Sequence, residues 1–229
     1  AYPFLVGLRG MGEKAYHAAL ARLLPAFTGH HDPTAPPSIE DYGRTVTSVL
    51  VRELAEQRVA TDGVRLQVEP GRAMYGDTGI HLTTVKTVKH QSAPIPYTWV
   101  LTDTTVFFLA GGVLEHNRHP FVLAGQADAP ATQTADIVGH SCYADQIVLG
   151  ARVPDVREGD VMALLETGAY QESSASNFNA LPRPASVLVT GDHAELVKRA
   201  ETIDDVYARD IVPDILAPHH QLGDVTEPA

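Results

Sequence analysis

One cysteine, Cys142, is all that the 229 residues contain. No intrachain disulfide can form, which fits a reducing compartment or a thiol kept for chemistry. Basic residues are few, 17 Lys and Arg against 28 Asp and Glu, for a formal charge of -11. Phosphate backbones are held by clustered Lys and Arg, so this balance argues against nucleic acid as a partner. No apolar run reaches the roughly 18 residues that span a bilayer. The opening "AYPFLVGLRG" has no basic region before its apolar part, so no signal peptide is expected. A cytoplasmic location is expected on these grounds. The chain does not open with Met, and residue 1 is expected not to be the natural start. Nucleophile-elbow, phosphate-loop and dinucleotide glycine patterns are missing. "GLRGMG" (7–12) is glycine-rich but lacks their spacing.

Hydrophobic residues make up 44%, enough for a packed core. Residues 13–27, "EKAYHAALARLLPAF", carry apolar groups at helical spacing, and 28–37 read as a loop. Ser38 reads as the N-cap of a helix "SIEDYGRTVTSVLVRELAEQ", with Glu40 and Asp41 at its positive end. "VRLQVEPGR" (64–72) reads as a strand running into a Pro-Gly turn. Helix, helix, strand is the order of an α/β layer.

After Arg72 the texture changes. "IHLTTVKTVKHQ", "YTWVLTDTTVFFL", "HPFVLAG", "ADIVGHSC", "QIVLGARV" and "DVMALLETG" are short, β-branched stretches split by Gly, Pro and Asp turns. They predict an antiparallel barrel or sandwich. "DHAELVKRAETIDDVYARDI" (192–211) reads as one or two short helices, and the last residues as a frayed tail.

Four places hold candidate chemistry. "VEPGR" sets Glu69 and Arg72 around Gly71 at a strand end, where ligands of α/β folds bind. An exposed turn with an ion pair is the plain alternative. "GHSCYADQ" (139–146) offers Cys142 three residues before Asp145, as a reactive thiol or a small buried apolar residue. Arg118 in "EHNRHP" (115–120) is a candidate anion contact, or part of a solvated turn. The histidine clusters His30-His31-Asp32, His116/His119 and His219-His220 lack a clear converging third ligand, so no metal centre is expected.

Taken together, "VEPGR", "GHSCYADQIVLGARVPDVREGDVMALLETGAY" and "SSASNFNALPRPASVLV" resemble the C-terminal part of the fold-type III pyridoxal-phosphate decarboxylases, over roughly residues 38–213. That group includes diaminopimelate, ornithine and arginine decarboxylases. The resemblance implies an α/β plus β fold: the end of a (β/α)8 alanine-racemase-like barrel over 1–72, an antiparallel β-barrel domain over 73–213, and a tail over 214–229. It implies decarboxylation of an amino acid with pyridoxal 5'-phosphate, in a homodimer with shared active sites. Glu69 matches the carboxylate that pairs with the cofactor's pyridine nitrogen. Gly71 and Arg72 match positions near the cofactor phosphate or the substrate carboxylate, and Tyr170 matches a phosphate contact. Cys142 matches a cysteine contributed across the dimer interface to protonate the product carbon. Asp145 matches the acid that closes that motif, and is placed with the substrate contacts.

The sequence also departs from the family. Tyr143 stands where an acid reads the substrate's distal amino group. "TDTTVFFLAGGVLEHNRHP" replaces an Arg-Pro segment, with Arg118 as its stand-in at the substrate. None of Lys14, Lys86, Lys89 and Lys198 sits in the context of the Schiff-base lysine, which is expected to lie outside this chain. The family's glycine-rich phosphate loop and stacking histidine are not found. The chain is therefore expected to be part of a longer enzyme. The alternative is an inactive homologue that binds and regulates a related decarboxylase. Racemase or aldolase chemistry is a weaker variant.

Overall fold

The computed structural model describes residues 38–109, 119–143 and 145–216. The predicted helix at 13–27, the three outlying histidine groups apart from His119, and Arg118 lie outside the described residues.

The chain divides at Ser176/Asn177 into two compact units. In the first, α1 (Ile39–Glu56) forms where the capping signal places it. The Ser38 hydroxyl accepts the Asp41 backbone N–H at 3.1 Å, and Glu40 and Asp41 occupy the first turn. No residue of α1 is buried.

The segment 64–70 corrects the expected strand. Val64, Leu66 and Val68 alternate with Arg65, Gln67 and Glu69, as a strand requires, but all three apolar side chains are exposed. The segment forms no regular element and pairs with no described strand. A single strand has no ladder of its own, so alternation alone does not make a sheet.

Six strands form one sheet in the order β3-β6-β1-β2-β4-β5: β1 (His81–Gln91), β2 (Tyr97–Thr102), β3 (Phe121–Leu123), β4 (Gln133–Val138), β5 (Gln146–Val153) and β6 (Val161–Leu164). The expected antiparallel pairing is corrected in one place, and among the described residues the edge strands β3 and β5 do not pair. β2 and β4 run parallel, with Trp99 opposite Asp136 and Leu101 opposite Val138. The sequence between them crosses over instead of turning back, which permits parallel pairing.

The core follows the period of two. β2 buries Thr98, Val100 and Thr102 and leaves the residues between them half-covered. Val85, Val100, Ile137, Val153 and Met162 meet in one cluster. Each buried Val, Ile or Met contributes about 1.5–3 kcal/mol. Buried Asp136 interrupts the apolar rule in β4. Its Oδ1 accepts the Tyr97 hydroxyl and the Gly150 N–H, both at 2.7 Å, so the polar group is satisfied.

The second unit is built on a two-stranded hairpin, β7 (Ser186–Thr190) with β8 (His193–Lys198). It corrects the expectation of helix over 192–211. Gly191 and Asp192 form a two-residue turn, with Gly191 at φ +61°, the chemistry of a tight hairpin. Helix begins only at α3 (Ile203–Val206), where Thr202 and Asp205 make a reciprocal cap. Glu201 ties the ends of this unit's loop together. It accepts the Asn177 amide at 2.6 Å and the Arg183 backbone N–H at 2.8 Å. The Arg183 side chain, hydrogen-bonded to Glu201, holds that carboxyl down to about 2.

Candidate active site

The "EPGR" turn begins with Pro70 in a helical conformation and continues through Gly71 at φ +56°. That left-handed value suits glycine and strains any other residue. A short helical turn, Gly71–Met74, follows, then a second, Gly76–Thr78. Space also demands glycine at 71. A Cβ there would lie 2.5 Å from the Tyr170 hydroxyl oxygen.

Tyr170 reaches that position because β6 runs on into "ETGAY". Thr167 donates its N–H to the Gly79 carbonyl at 3.0 Å, and Gly168 donates to the Gly76 carbonyl at 2.9 Å. The two backbones are close enough that a Cβ on Gly168 would meet Thr78 Oγ1 at 2.8 Å and Gly79 N at 2.9 Å. Tyr170 then takes φ +70°, a rare value for a tyrosine. The serines after it support this turn. Its carbonyl accepts the Ser173 hydroxyl at 3.1 Å and the Ser174 N–H at 2.9 Å, opening α2 (Gln171–Ser174). The Arg72 guanidinium carbon stands 5.5 Å from the centre of the Tyr170 ring, within cation–π range. Gly71, Arg72 and Tyr170 therefore form one corner. Glu69 is exposed at its entrance, one residue before Pro70.

Two histidines lie at the same end of the sheet: His119, considered above only as half of a metal pair, and His81, which no motif singled out. His81 opens β1 and its Nε2 is 2.7 Å from the Thr104 hydroxyl. Its pKa is lowered to about 4, chiefly by burial and then by the nearby His119, with Asp103 opposing both. His119 precedes β3, and its Nδ1 donates to the Leu165 carbonyl at 3.0 Å. Burial lowers its pKa as well, with the Arg72 charge acting in the same direction.

The Cys142 loop joins β4 to β5. Asp145 is buried, and both its oxygens serve the loop: Oδ1 accepts the Val106 N–H at 2.6 Å and Oδ2 the Ser141 N–H at 2.8 Å. Gly139 N–H closes the loop on the Asp145 carbonyl at 2.7 Å. Cys142 and Tyr143 are exposed at the tip, and the Tyr143 ring meets Phe107 edge-on at 5.5 Å. In the sheet order β1 and β2 separate this loop from the Arg72–Tyr170 corner. Thr104 links the two regions. Its carbonyl accepts the His140 N–H at 3.0 Å while its hydroxyl meets His81.

The sheet has counterparts among known proteins. The model of the pyridoxal-dependent decarboxylase C-terminal sheet domain matches residues 23–168. The chain belongs to this family. Diaminopimelate decarboxylase of Bacillus subtilis is 32% identical over 163 residues, 67% of this chain and 35% of that protein. Its counterpart from Synechocystis is 29% identical over 182 residues, 79% of this chain and 38% of that protein. Among solved structures, diaminopimelate decarboxylase from M. jannaschii in complex with L-lysine is 25% identical, with a TM-score of 0.68, over 82% of this chain and 41% of that one. The chain thus spans about two fifths of the length of the relatives it matches.

Proposed function

We propose that this chain supplies the sheet domain and part of the active site of a pyridoxal-phosphate-dependent decarboxylase acting on an amino acid. The observation that carries the reading is the Gly71–Arg72–Tyr170 corner within a chain of that family. A guanidinium beside a phenol, over a glycine backbone with no room for a Cβ, fits an anionic group. The uncovered apolar residues of α1 and of 64–68 support residues up to Arg72 as the end of an α/β barrel whose remainder lies elsewhere in a longer protein. The residues after them then form the β domain.

Bound pyridoxal phosphate supplies an electron sink that lets a carboxylate leave as CO2. This chain's residues have simpler tasks. Arg72 and the Tyr170 hydroxyl hold an anion, the cofactor phosphate or the substrate carboxylate. Glu69 holds a proton on the pyridine nitrogen. Cys142, on a loop fixed by Asp145, returns a proton to the product carbon in the site of a second copy, so the working unit is a homodimer. Tyr143 and Arg118 contact the substrate side chain and carboxylate. A cytoplasmic enzyme of amino acid metabolism fits these roles. Among the described residues, no helix is long and apolar enough to cross a membrane.

The test uses the full-length protein. Pyridoxal phosphate is titrated by visible absorbance, and CO2 release is measured over a panel of amino acids. Arg72→Ala and Tyr170→Phe should each weaken cofactor or substrate binding at least tenfold or a few-fold, respectively, the scale of a lost charged or neutral hydrogen bond. Wild-type protein that binds pyridoxal phosphate but releases no CO2 favours the regulatory homologue. Protein that does not bind it at all sinks the proposal.

A further inference from the structure

His119 is 7% exposed. Its Nδ1 faces the Leu165 carbonyl at 3.0 Å. A carbonyl can only accept, so Nδ1 carries a proton, and in the neutral ring Nε2 is left as a bare lone pair. That Nε2 is buried and has no hydrogen-bond partner. Native structures rarely leave a buried acceptor unpaired without a reason.

The surroundings narrow the reason. Leu164 of β6 lies opposite His81 on one side and Phe121 on the other. His119 stands just before β3, His81 opens β1, and "ETGAY" leaves β6, so all three converge on one end of the sheet. The bond from Gly168 to Gly76 anchors the Arg72 turn at that same end, and the Arg72 charge is near enough to bear on His119. Arginine offers five N–H donors and no acceptor. A neutral imidazole lone pair is its complement.

We propose that His119 is a positioning residue for Arg72: its Nε2 accepts a guanidinium N–H, directly or through one water, when Arg72 holds an anion at the Gly71–Tyr170 corner. This rests on the anion-binding role given to that corner above. The bond fixes the plane of the guanidinium and leaves its other N–H groups for the ligand. Protonation would replace the acceptor with a second cation. The charged and titratable groups bearing on His119 are Arg72, His81 and Glu166. Burial and Arg72 lower its pKa and so favour the neutral ring, against the Glu166 carboxylate and the Leu165 and Glu166 carbonyls.

Asparagine and glutamine separate the two ring nitrogens. In His119→Asn the amide N–H takes the place of Nδ1 and keeps the Leu165 bond, but the Nε2 acceptor is gone. In His119→Gln a carbonyl oxygen takes the place of Nε2. In the full-length protein, His119→Asn should weaken pyridoxal phosphate affinity, or raise the KM of the amino acid, about tenfold. That factor corresponds to about 1.4 kcal/mol, one hydrogen bond to a charged group. His119→Gln should recover most of the loss. In an Arg72→Met background, which has no N–H to donate, His119→Asn should add nothing. A folded His119→Asn protein with wild-type binding, or equal effects in both backgrounds, would overturn the proposal.

A ligand-free measurement separates this proposal from the function it rests on. In nitrogen NMR without pyridoxal phosphate, the wild-type His119 Nε2 resonance should start at the position of an unbonded lone pair and move toward that of a hydrogen-bonded one when inorganic phosphate is added, and in Arg72→Met it should stay in place. A wild-type resonance that does not move, or one that moves equally in Arg72→Met, would sink the positioning role, whether or not pyridoxal phosphate binds. Failure of the functional reading shows instead as wild-type protein that does not take up the cofactor.

Discussion

The Tyr170 hydroxyl lies directly against the backbone of Gly71, where a Cβ would come within 2.5 Å of its oxygen. Both residues sit at left-handed φ, +70° and +56°. The contact joins the "EPGR" turn to a turn after β6, and Arg72 stacks at 5.5 Å on the ring that makes it.

Gly71→Ala therefore carries two penalties. The new Cβ strains the backbone by about 1–2 kcal/mol, and it pushes the phenol away from its place. Thermal melts should show a modest loss of stability, while pyridoxal phosphate affinity, by titration, should fall tenfold or more. Affinity equal to wild type would show that the Tyr170 hydroxyl is not needed where it stands.

Gly168→Ala should be more damaging to the fold. Its Cβ meets backbone atoms of Tyr75 and Gly79, which cannot swing aside as a side chain can. The Thr167–Gly79 and Gly168–Gly76 hydrogen bonds would part together. A loss of about 3 kcal/mol or more is expected, on the scale of overpacking combined with lost backbone bonds. An unchanged melting temperature would contradict the backbone-to-backbone contact.

Asp145→Asn tests the loop that carries Cys142. An amide can accept one of the two N–H groups now bound by the carboxylate, and it turns a donor toward the other. The expected loss is about 2–3 kcal/mol. Hydrogen exchange should speed up at the Val106 and Ser141 amides, the two donors to Asp145. If those two amides keep their protection, Asp145 is not the clamp.

His81 predicts a pH dependence of stability. Its folded-state pKa is lowered from 6.5 to about 4, chiefly by burial. Between those values the unfolded chain binds a proton that the folded one does not, so stability falls as pH drops from about 6.5 to about 4. The full effect is of the order of 3 kcal/mol. His81→Gln, which can still bond the Thr104 hydroxyl, should flatten the decline in melting temperature between pH 7 and 5. A decline as steep as wild type would place the titrating group elsewhere.

Much of this architecture was legible locally. Ser38, Glu40 and Asp41 marked the start of α1, and β5 falls on "QIVLGARV", one of the short β-branched stretches read as strands. The misreadings share a cause. Val64, Leu66 and Val68 have a strand's alternation, but pairing needs a second strand that local sequence cannot supply. "AELVK" has good helix formers, yet β7 claimed it, and only the Gly191-Asp192 turn hinted at that.

Sequence by itself determined the periodic elements, the scarcity of cations and cysteine, and the three motifs that resemble pyridoxal-dependent decarboxylases. Those properties depend on residues a few positions apart. Tertiary structure alone decided that Tyr170 rests on Gly71, that Asp145 holds backbone amides, and that His119 is buried at the end of the sheet where His81 meets Thr104. These arrangements depend on which strands pair and where two backbones meet without side chains between them. Such contacts join residues far apart in the chain, where no local spacing reveals the partner.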